Sequence, residues 1–303
     1  MTRVRIFQVD AFTRQPFSGN PAGVVLDAGQ LDERQMQLIA RELNNGDTAF
    51  LLPADGVDHD LRVRFFTPRA EVGFVGHATV AAHAVLAAQG LAAHRLQKQR
   101  GGIVAIERHA SAQGCTISFT QPAPRLRGPI DPTLRHALLA ALGLSDAELD
   151  ERCPVTLAGE HSRRCLIGVR DGDCLARLQP DLPGLAALSA AGAAPGFFVY
   201  TLRPAVADCQ SEARMFCPAL GIPEDPVSGN AHAMLAVLLQ QLRLLAGGAA
   251  SAGFRGRQGH HMGRAGELEV GMHYTHGQLG AVSVSGAAVV IFETSIALAT
   301  LAA

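Results

Sequence analysis

The sequence lacks net charge, long apolar runs and paired cysteines, and each absence argues against a class of protein. Its 303 residues carry 26 Lys plus Arg against 27 Asp plus Glu, and a net charge of -1 disfavours charge-driven binding to nucleic acid. No apolar run reaches the ~20 residues of a membrane-spanning helix. The six cysteines contain no C-x-x-C pair and are too few for a disulfide scaffold. We therefore expect a reduced, cytoplasmic protein without nucleic-acid or membrane partners.

Signatures of several common enzyme classes are missing as well. No G-x-G-x-x-G follows a strand pattern, and the sequence contains neither a P-loop nor a G-x-S-x-G nucleophile motif. The composition nevertheless favours a large folded core, because 48% of the residues are apolar and only 17% are charged.

One pattern occurs twice along the chain. R-F-F-T-P at 64–68 is matched by R-M-F-C-P at 214–218, and G-H-A-T-V-A at 76–81 by G-N-A-H-A-M at 229–234. Each copy continues into a run, 78–88 or 231–239, that is apolar on nearly every side and predicts a fully buried helix. Strands wrapped around such a helix would bury it and close the edges of their sheet.

The elements around the duplicated pattern predict the fold class. Each half also contains short strand patterns and one amphipathic helix pattern, which in the first half covers 32–44 and is expected to end at Gly46. We expect an α+β fold of two pseudo-symmetric β-barrel-like halves, each wrapped around a central buried helix. The halves are placed at 1–125 and 126–303, with the final strands free to return toward the first half, and four prolines predict a linker at 121–132.

Two halves of this kind would enclose a cleft, and clefts commonly bind ligands. Both buried helices begin with a glycine, Gly76 and Gly229, which would let a ligand approach the backbone closely. Helix N-termini present free N–H groups and partial positive charge, so they bind carboxylates and phosphates. The sequence therefore predicts a small anionic substrate held between two helix starts.

Two residues of the first half are candidates for proton transfer. His77 follows Gly76 at the predicted helix start, although a capping or core histidine is the alternative. Asp47 lies between a predicted helix end and an apolar strand, where a plain turn aspartate is the alternative. In the functional interpretation, poor solvation raises the pKa of Asp47 and lets its carboxyl act as both acid and base.

The second half offers a matching set in P-E-D-P-V-S-G-N at 223–230. Asp225 either closes an Asx turn or holds an amine or hydroxyl group of the substrate. Asn230 mirrors His77 behind a glycine, but asparagine is also a common residue at a helix start. Ser228 and Gly229 join the candidate substrate-binding residues at this start. We disfavour a Ser–His–Asp triad because the strand-elbow pattern is missing.

Two glycine-containing segments supply the remaining candidates. Asn20 lies in G-N-P-A-G at 19–23, which is either a plain turn or a contact to the substrate. Arg264 ends the segment 255–264 and could clamp a carboxylate through two hydrogen bonds. The adjacent His260 and His261 precede it, but neighbouring histidines rarely face one ion and no carboxylate motif stands beside them. We therefore expect no metal site.

These separated motifs, taken in order, resemble the PhzF-like (phenazine biosynthesis) family, which shares the diaminopimelate epimerase fold. The resemblance covers nearly the whole chain. It rests on the segments 7–28, 36–44 and 76–79, T-A-F after Asp47, P-E-D-P-V-S-G at 223–229 and G-R-A-G at 263–266. It implies two pseudo-symmetric barrels around central helices, a homodimer, and chemistry without a cofactor or metal.

The resemblance also implies a reaction, the isomerisation of a dihydro-hydroxyanthranilate in which a carboxylate moves a proton between ring carbons. The Glu, His and Asp of the family fall on Asp47, His77 and Asp225, and a family Ser falls on Asn230. Asp is one methylene shorter than Glu, and a displacement of ~1 Å can slow a reaction by about a hundredfold. We therefore expect a smaller or differently seated acid as the substrate.

Three functional hypotheses follow. In the first, a cofactor-independent isomerase, Asp47 moves a proton, His77 donates a hydrogen bond to developing negative charge, and Asp225 orients the substrate together with Asn230. The second is a small-acid-binding protein of the same fold without turnover. The third is an amino-acid epimerase. Epimerases that share this fold carry a Cys before each helix-starting glycine, and the non-thiol residues found here, Val75 and Ser228, argue against two-thiol racemisation.

Overall fold

The computed structural model describes residues 3–112, 114–160, 162–245 and 253–297. The strands are β1 (Arg3–Ala11), β2 (Asn20–Leu26), β3 (Asp47–Pro53), β4 (Leu61–Phe66), β5 (Glu71–Val72), β6 (Leu96–Gln99), β7 (Gly102–Ser111), β8 (Gly114–Pro122), β9 (Leu126–Pro129), β10 (Thr156–Ala158), β11 (Arg164–Val169), β12 (Phe197–Thr201), β13 (Ser211–Cys217), β14 (Ile222–Asp225), β15 (Phe254–Gln258), β16 (Gly266–Thr275) and β17 (Gln278–Ala297). The helices are α1 (Glu33–Leu43), α2 (Gly76–Ala88), α3 (Pro132–Leu142), α4 (Gly172–Ala176), α5 (Leu182–Ala190) and α6 (Gly229–Gln241). The described residues form two compact units: unit 1 contains 3–121 and 284–297, and unit 2 contains 122–283.

Unit 1 contains a closed barrel of eight strands. Around the ring, β17 pairs with β1 and β1 with β2 in antiparallel fashion, β2 pairs with β3 in parallel, and β3 pairs with β4 antiparallel. The ring continues from β4 to β6 in parallel and through β7 to β8 antiparallel, and β8 pairs with β17 to close it. Closure removes the open strand edges that would otherwise invite pairing with another chain.

The inside of this barrel holds α2. All of its residues from Ala78 to Leu86 are buried, and the helix contacts β1, β2 and β3. From other parts of the ring, Gln97 of β6 places its Oε1 2.9 Å from the Nε2 of His83, and the ring of Phe119 in β8 packs against Gly76. The prediction of a helix buried on all sides is therefore confirmed.

Unit 2 has the same order of strand pairings. β10 and β11 pair antiparallel, β11 and β12 parallel, β12 and β13 antiparallel, β13 and β15 parallel, and β15 and β16 antiparallel. This matches the succession from β1 through β7 in unit 1. The helix α6 contacts β9, β11 and β16, and the ring of its His232 lies 5.0 Å from the ring of Phe198 in β12. The second buried helix is confirmed too, since most of α6 is inaccessible to solvent.

Local sequence explains where α1 begins and ends. Asp32 and Gln35 form a capping box at its start, which satisfies two otherwise unpaired N–H groups. The helix ends at Leu43, because Asn44 adopts a left-handed conformation with φ 52° and donates its N–H to the carbonyl of Ala40. The prediction that Gly46 ends this helix is wrong by two residues, since asparagine also tolerates the left-handed conformation.

The sequence predicts that the proline-rich segment 121–132 is a plain linker, and the structure shows that this prediction is wrong. It contains β9, which pairs with β10, and it leads into α3 through the capping side chain of Asp131. Pro122 and Pro129 end strands, and Pro132 is the first residue of a helix. Proline is tolerated at these places because the missing N–H is not needed there.

The described part of the chain contains neither long helices nor disulfides. Within the described ranges the longest helices, α2 and α6, have 13 residues each, and none could cross a bilayer. All six cysteines lie within these ranges and are free thiols. Buried apolar side chains and strand pairings stabilise the fold.

A close approach between Gly256 and His232 gives a test of the packing around α6. A Cβ at Gly256 would lie 2.2 Å from Cδ2 of His232, which is fully buried. Gly256→Ala is therefore expected to lower the free energy of unfolding by about 1–3 kcal/mol, as overpacking of a core does. The matched control is Gly46→Ala, because no described atom lies within 4 Å of its added Cβ. Equal unfolding free energies for the two variants in urea titrations would contradict this packing.

Candidate functional site

The first candidate pair of catalytic residues meets at one end of the unit 1 barrel. Asp47 is the first residue of β3, and His77 is the second residue of α2. The Nε2 of His77 lies 3.8 Å from Oδ2 of Asp47, and the two side chains are only 11% and 14% exposed. This distance is too long for a direct hydrogen bond. The structure therefore places the two predicted residues close together, without a direct hydrogen bond between these two atoms.

Burial determines the charge of His77. Loss of solvation lowers the pKa of this imidazole to about 4, so the ring is neutral at pH 7. Its Nε2 is buried and makes no hydrogen bond to any described residue. A buried polar atom without a partner costs about 1–3 kcal/mol. The ring is therefore poised to hydrogen-bond with a group that a ligand would bring.

The start of α2 adds a second attraction for an anion. Val75 stands at the N-cap position of the helix, and its side chain makes no capping hydrogen bond. The N–H groups of this turn carry partial positive charge and favour a carboxylate. Gly76 also has a packing role that the sequence did not indicate: a Cβ there would lie 2.8 Å from Cζ of Phe119.

Asn20 is placed at the same end of the barrel by strand register. It is the first residue of β2, and β2 runs parallel to β3 with Ala22 opposite Asp47. Neighbouring parallel strands therefore begin with the two candidate residues. The side chain of Asn20 is buried, with 3% of the residue exposed. Unit 1 thus gathers four of the predicted site residues, namely Asn20, Asp47, Gly76 and His77.

In unit 2, the segment before α6 is held by a glutamine that sequence reasoning missed. Gln258, the last residue of β15, is fully buried. Its Oε1 accepts the N–H of Ser228 at 3.1 Å, and its Nε2 donates to the carbonyl of Asp225 at 2.6 Å. The only signal in the sequence was that Gln258 lies within the candidate segment 255–264. Gln258 therefore fixes the backbone on both sides of the D-P-V-S turn.

Ser228 caps α6. Its hydroxyl accepts the N–H of Ala231 at 3.4 Å, and its carbonyl lies 2.9 Å from Nδ1 of His232. Gly229 and Asn230 are the first two residues of the helix. The two helix starts therefore differ, since the N–H groups of α6 are partly satisfied by a cap that α2 lacks.

The turn that carries Arg264 packs against the same segment of unit 2. The N–H of Arg264 donates to the carbonyl of Gly259 at 3.0 Å. Gly259 has φ +88°, and a Cβ there would lie 2.7 Å from the carbonyl oxygen of Pro226. The structure thus places the backbone of Arg264 close to Pro226, which directly follows Asp225.

Each unit contains an arginine–glutamate pair that the repeated R-x-F-x-P motif did not reveal. Arg64 donates to both carboxylate oxygens of Glu71 at 2.7 and 2.8 Å, and Arg214 does so to Glu224 at 2.9 Å for both. In both cases the guanidinium lies 5.1 Å from the centre of the phenylalanine ring two residues later. The Arg64 guanidinium lowers the pKa of Glu71. Such two-point pairs restrain the segment that leads into each buried helix.

The histidine pair of the 255–264 segment has a carboxylate beside it, contrary to the sequence-based argument against a metal site. Glu212 of β13 lies close to both His260 and His261, although 48 positions separate it from the nearer one. The contact with His260 lowers the pKa of Glu212 to about 2, against the opposing effect of burial. Burial lowers the pKa of His261, helped by the positive charge of Arg214.

Comparisons with known proteins bear on the family and the fold of the chain. The family model described as "Phenazine biosynthesis-like protein" matches residues 9–294. An Escherichia coli O157:H7 protein named "Uncharacterized isomerase YddE" is 40% identical over 298 residues, covering 97% of this chain and 98% of the relative. The crystal structure of a PhzF-family phenazine biosynthesis protein from Bacillus anthracis has a TM-score of 0.86 at 25% identity, covering 98% of this chain and 100% of that one.

A more distant structure shares the fold alone. A hydroxyproline epimerase from Agrobacterium vitis has a TM-score of 0.63 at 12% identity, and the match covers 98% of this chain and 93% of that one. The fold is therefore of the mixed α and β type found in PhzF proteins and such epimerases. With a family model and a full-length relative in agreement, the chain belongs to the PhzF family of phenazine biosynthesis-like proteins.

Proposed function

We propose that this chain is a cofactor-independent isomerase that moves a proton between carbon atoms of a small carboxylate substrate. A relative that matches this chain over nearly the full length of both proteins is named an isomerase. The observation that carries the proposal is the Asp47–His77 pair at the uncapped start of α2. A carboxylate, a neutral imidazole and the N–H groups of a helix start are the parts that such a proton transfer uses.

The proposed reaction starts with the substrate carboxylate at the first turn of α2, where N–H groups donate hydrogen bonds to it. Asp47 in its ionised form takes a proton from one substrate carbon, and the electron pair of the broken C–H bond spreads into the substrate. The carboxyl group then returns that proton to a second carbon. The double bond shifts, and the reaction needs no oxidant or reductant because the atoms and electrons of the substrate are conserved.

His77 is proposed to stabilise the negative charge that develops between these two steps. Since its pKa is about 4, the ring donates a hydrogen bond as a neutral imidazole and does not add a full charge to the site. A single pre-positioned donor of this kind typically contributes about 10²–10³-fold to the rate.

The other assignments extend the proposal. Asp225 and Asn230 are proposed to orient the substrate. Further contacts are proposed from Asn20, Gly76, Ser228, Gly229 and Arg264. The matching order of strand pairings in the two units supports their proposed origin as pseudo-symmetric copies. A homodimer is proposed from the family resemblance.

Deuterium exchange tests the function even while the substrate is unidentified. The protein is incubated in D₂O with a panel of small acids that carry an activated C–H bond, including cyclic dihydro-aromatic acids, unsaturated dicarboxylates and α-amino acids of both hands. We expect deuterium to enter one acid while its double bond moves, as followed by NMR. Binding without exchange across the panel would favour the binding protein. Exchange with loss of optical rotation alone would favour the epimerase, and either result would overturn the isomerase.

A further inference from the structure

Three metal-ligating side chains converge in unit 2 outside the residues assigned to catalysis. Glu212 is the second residue of β13, and His260 with His261 begins the turn after β15. One ligand atom from each lies within 4.8 Å of the other two. The Nε2 atoms of His260 and His261 lie 2.8 and 3.8 Å from Oε1 of Glu212. Ligands of a tetrahedral ion ~2.0–2.1 Å away are spaced at roughly this range.

The contact between His260 and Glu212 is short but poorly aligned for a hydrogen bond. Both ring nitrogens of His260 are buried, and neither has a hydrogen-bonding partner among the described residues. The Nε2 atom is therefore close to the carboxylate oxygen without being aligned with it. Two ligand atoms of one tetrahedral ion can lie this close to each other without a hydrogen bond between them. The ring of His261 stacks on that of His260 with centroids 5.3 Å apart, and the Nε2 atoms of both rings lie near the same carboxylate oxygen.

Burial and access suit a bound ion. Glu212 is 4% exposed and supplies a negative charge from β13. The side chain of His261 is 22% exposed, which leaves a path from solvent. Two cationic groups face the cluster. The charge of Arg214 is balanced by its two hydrogen bonds to Glu224. Arg257 lies beside Glu212 in the strand register, and Glu267 of β16 lies opposite Arg257.

We propose that Glu212, His260 and His261 bind a divalent transition-metal ion of the Zn²⁺ class, with water completing the coordination. Two imidazoles and one carboxylate suit Zn²⁺, Co²⁺ or Ni²⁺, whereas Mg²⁺ and Ca²⁺ prefer oxygen ligands alone. The bound ion ties the turn that carries Arg264 to β13. Since this turn packs on Pro226, the ion stabilises the segment that holds Asp225 and supplies no step of the proposed reaction.

Titration of the chelator-treated full-length protein with ZnCl₂ in a calorimeter tests the site. We expect one Zn²⁺ per chain, and a rise in thermal midpoint on adding the metal. His261→Ala is the main variant, because this partly exposed side chain can be removed without opening the core. It should weaken binding at least ~10-fold and abolish the thermal shift. Co²⁺ in place of Zn²⁺ should give a visible spectrum without thiolate charge transfer, since none of the free cysteines belongs to the cluster.

The matched control is His109→Ala. His109 is an exposed histidine whose Nε2 lies 3.2 Å from Glu107, and among the residues that the structure describes this pair belongs to no group of three ligating side chains. This variant should bind Zn²⁺ like the wild type. Absence of Zn²⁺ binding by the wild type would overturn the proposal, and so would equal affinity of the wild type and His261→Ala. The proposed isomerisation is judged separately, by deuterium exchange in the presence of chelator.

Discussion

Asp47→Asn is expected to lower deuterium exchange by about 10²–10⁴-fold on whichever acid the wild-type protein labels. The amide keeps the size and polarity of the side chain but cannot take a proton from carbon. Asp47 lies at the start of β3 with 14% of its side chain exposed, so the substitution does not remove a core residue. The loss should appear in kcat, because the carboxylate acts in the transition state and contributes little to binding of the ground state. Mass spectrometry of the recovered acid measures the exchange.

Two further variants separate chemistry from folding. Asp27→Asn replaces an exposed aspartate whose φ of 56° suits asparagine equally well, and it should keep the wild-type rate. Asp47→Glu restores the side-chain length expected from the family resemblance and keeps the acid–base group, so it should retain measurable exchange where Asp47→Asn does not. Full exchange in Asp47→Asn with an unchanged thermal midpoint would show that another residue moves the proton.

Lowering the pH from 7 to 5 is expected to reduce the free energy of unfolding by about 2 kcal/mol for each of three buried histidines, on the order of 6 kcal/mol in total. Burial lowers the pKa of His77, His83 and His232 to about 4, from an ordinary value of 6.5. Between these values the unfolded chain binds protons that the folded protein excludes. The stabilising contribution is therefore complete above pH 6.5 and is lost as the pH falls toward 4.

Urea unfolding at several pH values tests this prediction, and one matched pair of variants assigns it. His83→Gln removes one of the three groups, so the slope of unfolding free energy against pH near 5 should fall by about one third. Its absolute stability also falls, because His83 contacts Gln97. His109→Gln, at an exposed histidine, should leave the slope unchanged. A wild-type protein equally stable at pH 7 and pH 5 would contradict the burial of these rings as neutral groups.

Much of the fold was predictable because its signals are local. A run such as 78–88, apolar on every side, has no stable place except inside other structure, and α2 and α6 are buried as expected. The position of His77 behind Gly76 could likewise be read from the helix start. Where prediction failed, the local signal was ambiguous: Asn44 ends α1 in place of Gly46, and the prolines of 121–132 flank a strand.

The contacts of the candidate site could not be predicted in this way, because they join residues that are far apart in sequence. The amino-acid sequence by itself determined the two buried helices, the repeated pattern around them and the presence of an acid and a histidine near one helix start. Only the tertiary structure decided that Asp47 and His77 stand 3.8 Å apart, that Gln258 braces Asp225, and that Glu212 meets His260. These distances depend on strand register and barrel closure, which are set by the packing of the whole chain and by no short segment.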